Sequence, residues 1–95
     1  MIAVLFEAEP NDGAYDDYFR IAAELRPLLD QIDGFISIER FQSLSDERRI
    51  LSLSFWRDED SIARWRAFEA HRAAQSEGRA RVFRHYRLRI AHVVR

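Results

Sequence analysis

The alternation of apolar and polar positions predicts four strands. The first nine residues alternate loosely, with Ile2, Val4 and Phe6 on one side, which is typical of a β-strand. Segments 35–42 and 50–56 are short, apolar and separated by a polar turn, so they predict a hairpin. The segment 85–94 predicts the last strand.

Two stretches show helical spacing instead. In 14–33, apolar residues recur every three or four positions, and Pro27 inside it predicts a kink or a restart, because proline lacks an N–H and clashes one turn back. Gly34 is the expected break after this helix. The second helix is predicted over 57–78; its candidate N-caps are Asp58, Asp60 and Ser61.

The element order β-α-β-β-α-β predicts an α+β, ferredoxin-like fold: one antiparallel sheet with both helices on one face. In such a sheet only the helix-covered face needs to be apolar. Here both faces carry large side chains. In 35–42 we expect Ile36 and Ile38 opposite Phe35 and Phe41, and 50–56 is apolar on both sides. We therefore expect a homodimer in which two sheets close into a shared α+β barrel.

Composition narrows the class of protein. Ninety-five residues predict a single domain, 1–95, and twelve aromatic residues are more than a small core easily buries, which favours a dimer interface, a ligand cavity or both. A net charge of −1 gives no basic footprint for nucleic acid. The N-terminus reads directly into a strand, and no segment has transmembrane length, so we expect a cytoplasmic protein with no membrane contact.

Several chemistries are excluded by missing residues. The chain has no Cys, and all fifteen basic residues are Arg, so thiolate and lysine Schiff-base catalysis are excluded. The three histidines have no metal-ligand spacing, so we expect no metal. No glycine loop for phosphate binding is present either.

The sequence resembles the antibiotic biosynthesis monooxygenase family of dimeric α+β barrels over essentially its whole length. The resemblance is carried by LRPLLDQIDGFISIERFQS, ILSLSFWRDEDSIARWRAFEAHRAAQSEGR and the closing YRLRIAHVVR. Its most specific part runs from Trp56 through Trp65 to His71 and Gly78. The resemblance implies the ferredoxin-like protomer and the dimer. It does not imply one particular activity, because this fold hosts several.

One branch of that family suggests an oxygenase that needs no cofactor. Its quinone-forming members oxidise phenolic polyketides with O2, without metal or flavin, in a site between sheet and helices. There a helix tryptophan is followed six residues later by a tyrosine. Trp65 matches the tryptophan, and His71 occupies the tyrosine position.

A second branch degrades haem. It uses an asparagine on the first strand, a helix tryptophan and a haem-ligating histidine ten residues further on. In this chain those positions are Glu7, Trp65 and Gln75, so only the tryptophan matches. His71 lies one helical turn before Gln75, which keeps haem as an alternative cofactor.

The candidate site residues follow from these comparisons and from the residue chemistry. His71 is the candidate acid or base, Trp65 the flat wall for a planar substrate, and Arg72 the cation that offsets an anion. Candidate substrate-binding residues are Glu7, Trp56, Phe68, Gln75 and His85. Five of them have a plain structural alternative: core packing for Trp65 and Phe68, a surface position for His71, and an ion pair for Glu7 and Arg72. The expected partners are Arg87 or Arg89 for Glu7, and Glu7 or Glu39 for Arg72.

The sequence leaves three functions open. The first is a cofactor-independent monooxygenase that oxidises a small aromatic or quinol-type compound. The second is a protein that binds or degrades haem. The third is a dimer that binds a small molecule without catalysis.

Overall fold

Four strands and two helices follow one another in the predicted order. The computed structural model describes residues 1–75 and 83–95, and the side chains of 1–69 and 84–95. The elements are β1 (Ile2–Pro10), α1 (Tyr15–Leu29), β2 (Phe35–Gln42), β3 (Ile50–Trp56), α2 (Glu59–Gln75) and β4 (Phe83–His92). The β-α-β-β-α-β prediction is confirmed.

The strands form one antiparallel sheet in the order β2-β3-β1-β4. Strand β1 lies in the middle, where Leu5 is paired with Leu53 of β3 and with Arg89 of β4. Each helix therefore connects two strands that are separated by a third, which is the split arrangement of a ferredoxin-like fold.

The two faces of the sheet carry different sets of side chains, because residues that are paired across strands point to the same side. The helix side includes Val4, Phe6 and their partners Ser54 and Ser52. We call the opposite side the rear face. It carries Ala3, Leu5, Glu7, Phe41, Leu51, Leu53, Phe55, Arg87 and Arg89.

Strand β2 differs from its predicted facing. A register shift between Phe35 and Ser37 brings Phe35 onto the helix side, where its ring lies 5.2 Å from that of Trp56. Ile36 is then 51% exposed, whereas Ile38 packs against the core. The predicted alternation of Phe35 against Ile38 is wrong because the bulge inserts one residue into the strand.

Helix α1 passes through Pro27 without a restart and ends two residues later, at Leu29. The predicted break at Gly34 lies after this end, with φ at +96°. Helix α2 is capped by Asp58, whose Oδ1 accepts hydrogen bonds from Ser61 N at 2.9 Å and from Ser61 Oγ at 2.6 Å. Of the three predicted N-caps, Asp58 therefore holds the position.

The main core lies between the sheet and the ends of both helices. It is built from Ile2, Leu29, Trp56, Ile62 and Trp65, all of them at most 7% exposed. No helix in the described ranges is both long and apolar enough to span a bilayer.

Candidate functional site

A cavity of about 540 Å³ lies between the helix side of the sheet and the two helices; we call it the sheet–helix cavity. Both helices and all four strands line it. The helices contribute Tyr18, Ile21, Ala22, Leu25, Leu29, Ile62, Trp65, Arg66 and Glu69, and the strands contribute Val4, Phe6, Ile38, Arg40, Ser52, Ser54, Trp56, Tyr86, Leu88 and Ile90. A cavity of this size and composition fits a small, largely apolar ligand.

One end of the cavity is aromatic. Trp65 and Phe68 stack with their ring centroids 5.6 Å apart, since residues three apart share a helix face. Trp56 lies in the same core cluster and donates its Nε1–H to Ser54 Oγ at 2.9 Å. This end presents flat apolar surfaces on which a ring can stack.

The other end carries polar groups on adjacent strands and on α1. Arg40 is paired with Ser52, and the Ser52 hydroxyl lies 3.4 Å from that of Tyr18. The Nε of Arg40 is buried and has no hydrogen-bond partner among the described residues. The cavity therefore has an apolar end near Trp65 and a polar end near Arg40.

Two of the predicted site residues, Trp56 and Trp65, line the cavity, and Phe68 is stacked on Trp65. Their roles toward a substrate stay predictions. All three also pack in or against the core, so the structural alternative for Trp65 and Phe68 applies as well.

Glu7 and His85 lie elsewhere. Glu7 is on the rear face, where Arg89 Nη1 approaches its Oε1 to 3.3 Å, as the ion-pair alternative expected. His85 is paired with Glu9, which places it on the same rear face, and it is exposed. Neither residue lines the sheet–helix cavity in the described structure.

His71, Arg72 and Gln75 belong to α2, but their side chains lie outside the described residues. Gly78 lies outside them entirely. The backbone of α2 places His71 three residues after Phe68, on the helix that carries the aromatic wall. The catalytic roles of His71 and Arg72 stay predictions.

Arg40, Ser52, Ser54 and Tyr18 were not singled out from the sequence. A signal was present for Arg40, because it lies two residues after Ile38 and so falls in phase with an inward-facing apolar residue. Tyr18 likewise shares the apolar face of α1 with Ala22.

A ferredoxin-like protomer with a cavity between sheet and helices can enclose a small ligand, whereas the fold alone does not fix the chemistry. The family sequence model described as antibiotic biosynthesis monooxygenase matches residues 1–77. This chain belongs to that family.

One sequence relative is named as a monooxygenase. The chain is 50% identical over 93 residues to a jasmonate monooxygenase of Pyricularia oryzae, matching 98% of this chain and 43% of that protein. It thus spans less than half the length of that relative.

Two solved structures share the fold. SnoaB, a cofactor-independent oxygenase from Streptomyces nogalater solved as a mutant, superposes with a TM-score of 0.78 at 13% identity, covering 99% of this chain and 93% of that one. The heme-degrader MhuD of Mycobacterium tuberculosis gives a TM-score of 0.73 at 20% identity, covering 99% and 96%.

Proposed function

We propose that this protein is a monooxygenase that oxidises a small, largely apolar molecule with O2 inside the sheet–helix cavity. The observation that carries the proposal is the cavity itself, about 540 Å³ and lined mostly by apolar and aromatic side chains, in a chain of the antibiotic biosynthesis monooxygenase family. The cavity gives the substrate a largely apolar site with flat walls.

Two substrate types are supported by different observations. The aromatic wall of Trp56 and Trp65, with Phe68 stacked on Trp65, favours a phenol or quinol, the type expected from the sequence. The name of the 50% identical relative favours jasmonate, a cyclopentanone with an acetate side chain. Both molecules combine an apolar ring with a polar group, as the two ends of the cavity do.

The phenolic reaction needs no added reductant. The phenol loses one hydrogen from a ring carbon and one from its hydroxyl; that ring carbon gains a carbonyl oxygen from O2, and the second oxygen atom leaves with the two hydrogens as water. The protein then has to orient the substrate, accept a proton and stabilise the anion; we propose Trp65 for orientation, His71 as the base and Arg72 as the offsetting cation. Insertion of oxygen into a C–H bond to give an alcohol consumes two further electrons from an external donor.

An oxygen-uptake screen tests this function. The panel contains phenols and quinols without a donor, and jasmonate with ascorbate or NADH as donor. Ile38→Trp fills the cavity, whereas Ile36→Trp adds the same ring two residues away at an exposed position. We expect substrate-dependent uptake in the wild type and in Ile36→Trp, and at least a tenfold loss in Ile38→Trp.

A flat oxygen trace across the panel would contradict the proposal. So would uptake that Ile38→Trp leaves unchanged, because the reaction would then lie outside the cavity. Loss of uptake in His71→Ala with retained substrate binding would support the proposed base.

We also propose that the rear face pairs with the rear face of a second copy. It presents Leu5, Leu51, Leu53 and Phe55, which lie side by side on adjacent strands, and none of the described helices or strands forms a second layer over them. A chain this small gains stability by burying such a face in a dimer.

Haem is the competing ligand. The MhuD fold likeness and His71 favour it, whereas none of the described cavity-lining side chains is a histidine. A hemin titration followed in the Soret region, with His71→Ala in parallel, decides the question. Saturable 1:1 binding that depends on His71 would replace the cofactor-free proposal.

A further inference from the structure

Arg40 is a cation placed inside an apolar cavity. It lies on the helix side of β2, in phase with Ile38, and lines the sheet–helix cavity. Its Nε is buried, and within the described part of the chain this atom has no hydrogen-bond partner and the side chain enters none of the ion pairs. A guanidinium normally uses its fixed fork of donors on a carboxylate or a phosphate.

The position is costly unless something binds there. A buried polar donor without a partner loses its hydrogen bonds to water and gains none in exchange, and a charged group loses more. Most other described arginines avoid this cost at the surface; Arg57, for example, donates to both oxygens of Asp33. No carboxylate of the described residues pairs with Arg40, so its Nε donor is available to a ligand.

The charges around the cavity favour an anion over a cation. The described lining includes the partly buried Arg40, the exposed Arg66 and one exposed carboxylate, Glu69. The two exposed groups offset each other in charge, which leaves Arg40 as the uncompensated cation. Beside Arg40, the hydroxyls of Ser52 and Tyr18 add neutral groups that can donate to an oxygen.

The length of the cavity sets the shape of the ligand. Ser52, next to Arg40, and Trp56, at the aromatic end, are four residues apart on β3, which corresponds to about 13 Å. An acid bound at Arg40 therefore places its apolar part against Val4, Ser54 and Trp65.

We infer that the sheet–helix cavity selects a small apolar monocarboxylate and that Arg40 binds its carboxylate. This inference deepens the proposed function, because it names the substrate class of the same cavity. Ser52 and Tyr18 complete the carboxylate site, and the ring or chain of the acid lies toward Trp65, where oxidation takes place.

Calorimetric titration of two acid–ester pairs tests the inference. The probes are jasmonic acid with methyl jasmonate, and 1-naphthylacetic acid with its methyl ester. We expect the wild type to bind at least one acid about tenfold or more tightly than its ester, since a charge-assisted bond is lost in the ester. Arg40→Met should bring that ratio close to one.

Two variants control for charge and folding. Arg49→Met removes a cation that is 70% exposed and should keep the preference for the acid. Arg40→Lys keeps the charge without the fork and should retain more of the preference than Arg40→Met. Ligand-free Arg40→Met should melt at the same temperature as the wild type or higher, because it replaces a partly buried guanidinium, whose Nε has no partner among the described residues, with an apolar chain.

Equal affinity for acid and ester would overturn the inference, and so would an acid preference that survives Arg40→Met. A lower melting temperature of ligand-free Arg40→Met would also overturn it, because it would mark a structural role for Arg40. Absence of binding by both acids would overturn it as well. Because binding is measured without turnover, the two proposals fail separately. Arg40-dependent binding without oxygen uptake contradicts the monooxygenase, and uptake with equal KM for acid and ester contradicts only the carboxylate site.

Discussion

Single side chains decide whether the space between sheet and helices stays open. Ser52 and Ser54 occupy inward positions in the middle of β3 where large apolar residues would fill the core, and Ala22 does the same on α1. Each serine hydroxyl has a hydrogen-bond partner, the Tyr18 hydroxyl for Ser52 and the Nε1–H of Trp56 for Ser54, so the burial of both serines is compensated. The cavity is thus a part of the core that small residues leave unfilled.

Sequence patterns found the large residues of this site better than the small ones. Trp56 and Trp65 stand out by size and by helical or strand phase, and both line the cavity. Ser52 and Ser54 carry no signal on their own, because a serine in a strand is equally common on a solvent face. Arg40 was missed because a charged residue in a short strand is normally assigned to the solvent side, even where it is in phase with an apolar residue such as Ile38.

Gly34 gives a residue-scale prediction. Its φ is +96°, and a Cβ there would collide with Ser61 Oγ, which is fully buried and bonded to Asp58. We expect Gly34→Ala to lower the free energy of unfolding by about 2–4 kcal/mol from backbone strain and overpacking together. Chemical denaturation measures it.

Gly13→Ala is the matched control. Gly13 also has a positive φ, +80°, but no atom of the described residues lies within 4 Å of an added Cβ. It should cost only about 1 kcal/mol, the backbone share. Equal losses in the two variants would show that the packing of Gly34 against Ser61 contributes nothing.

At the scale of elements, the junction before α2 fixes the aromatic wall. Arg57 N donates to Gly34 O at 2.7 Å, and its guanidinium bridges Asp33 and Asp58, so the end of β3 is tied to the start of β2 and to the helix cap.

The order and type of the helices and strands were predictable from the sequence, because long periodic segments carry them. The end of α1 was not, since the expected helix ran on to Asp33, four residues beyond Leu29.

The Asp58 cap of α2 should make the folding stability of the protein depend on pH in the acid range. Hydrogen bonds from Ser61 Oγ, then from Arg57, then from Ser61 N–H hold the pKa of the Asp58 carboxyl well below its usual range. A carboxyl with a lowered folded-state pKa adds stability that is complete above about pH 4, the unfolded value. That stability is lost as the pH falls toward the folded value.

Denaturation midpoints between about pH 6 and pH 2 measure this effect. The wild type should exceed Asp58→Asn in stability at pH 6, and the difference should shrink steadily below about pH 4. Asp60→Asn removes the same charge from the same turn and should leave the acid dependence of the wild type in place. A difference between wild type and Asp58→Asn that is constant with pH would show that the ionised cap is unimportant.

At the scale of the whole molecule, the two faces of the sheet have different proposed roles. The helix side holds the cavity, and the rear face holds a band of leucine and phenylalanine with the Glu7–Arg89 pair beside it. The apolar pattern on both faces was visible in the sequence and led to the predicted dimer. The pairing register determines which residues lie on each face. The alternation of apolar residues in β1 and β3 predicted this facing, whereas the alternation in β2 did not.

A charge in the middle of the rear face tests the proposed dimer. Leu53 lies on β3 between Leu5 and Glu39 in the sheet register. We expect Leu53→Glu to convert a dimer into a monomer, because it buries an unpaired carboxylate at the interface. Sedimentation or light scattering gives the mass.

Ala23→Glu adds the same charge at an exposed position of α1 and should remain dimeric. A monomeric wild type would contradict the proposal, and a Leu53→Glu protein with the mass of a dimer would place the interface elsewhere.

The most direct test of oxidation in the cavity is mass spectrometry of the product formed under isotopically labelled dioxygen. The wild type and Ile36→Trp should give a product that carries one labelled oxygen atom, and Ile38→Trp should give almost none, because its indole occupies the substrate's space. Product without the label would show that the oxygen comes from water. Labelled product from Ile38→Trp at the wild-type rate would show that the sheet–helix cavity is not the site of the reaction.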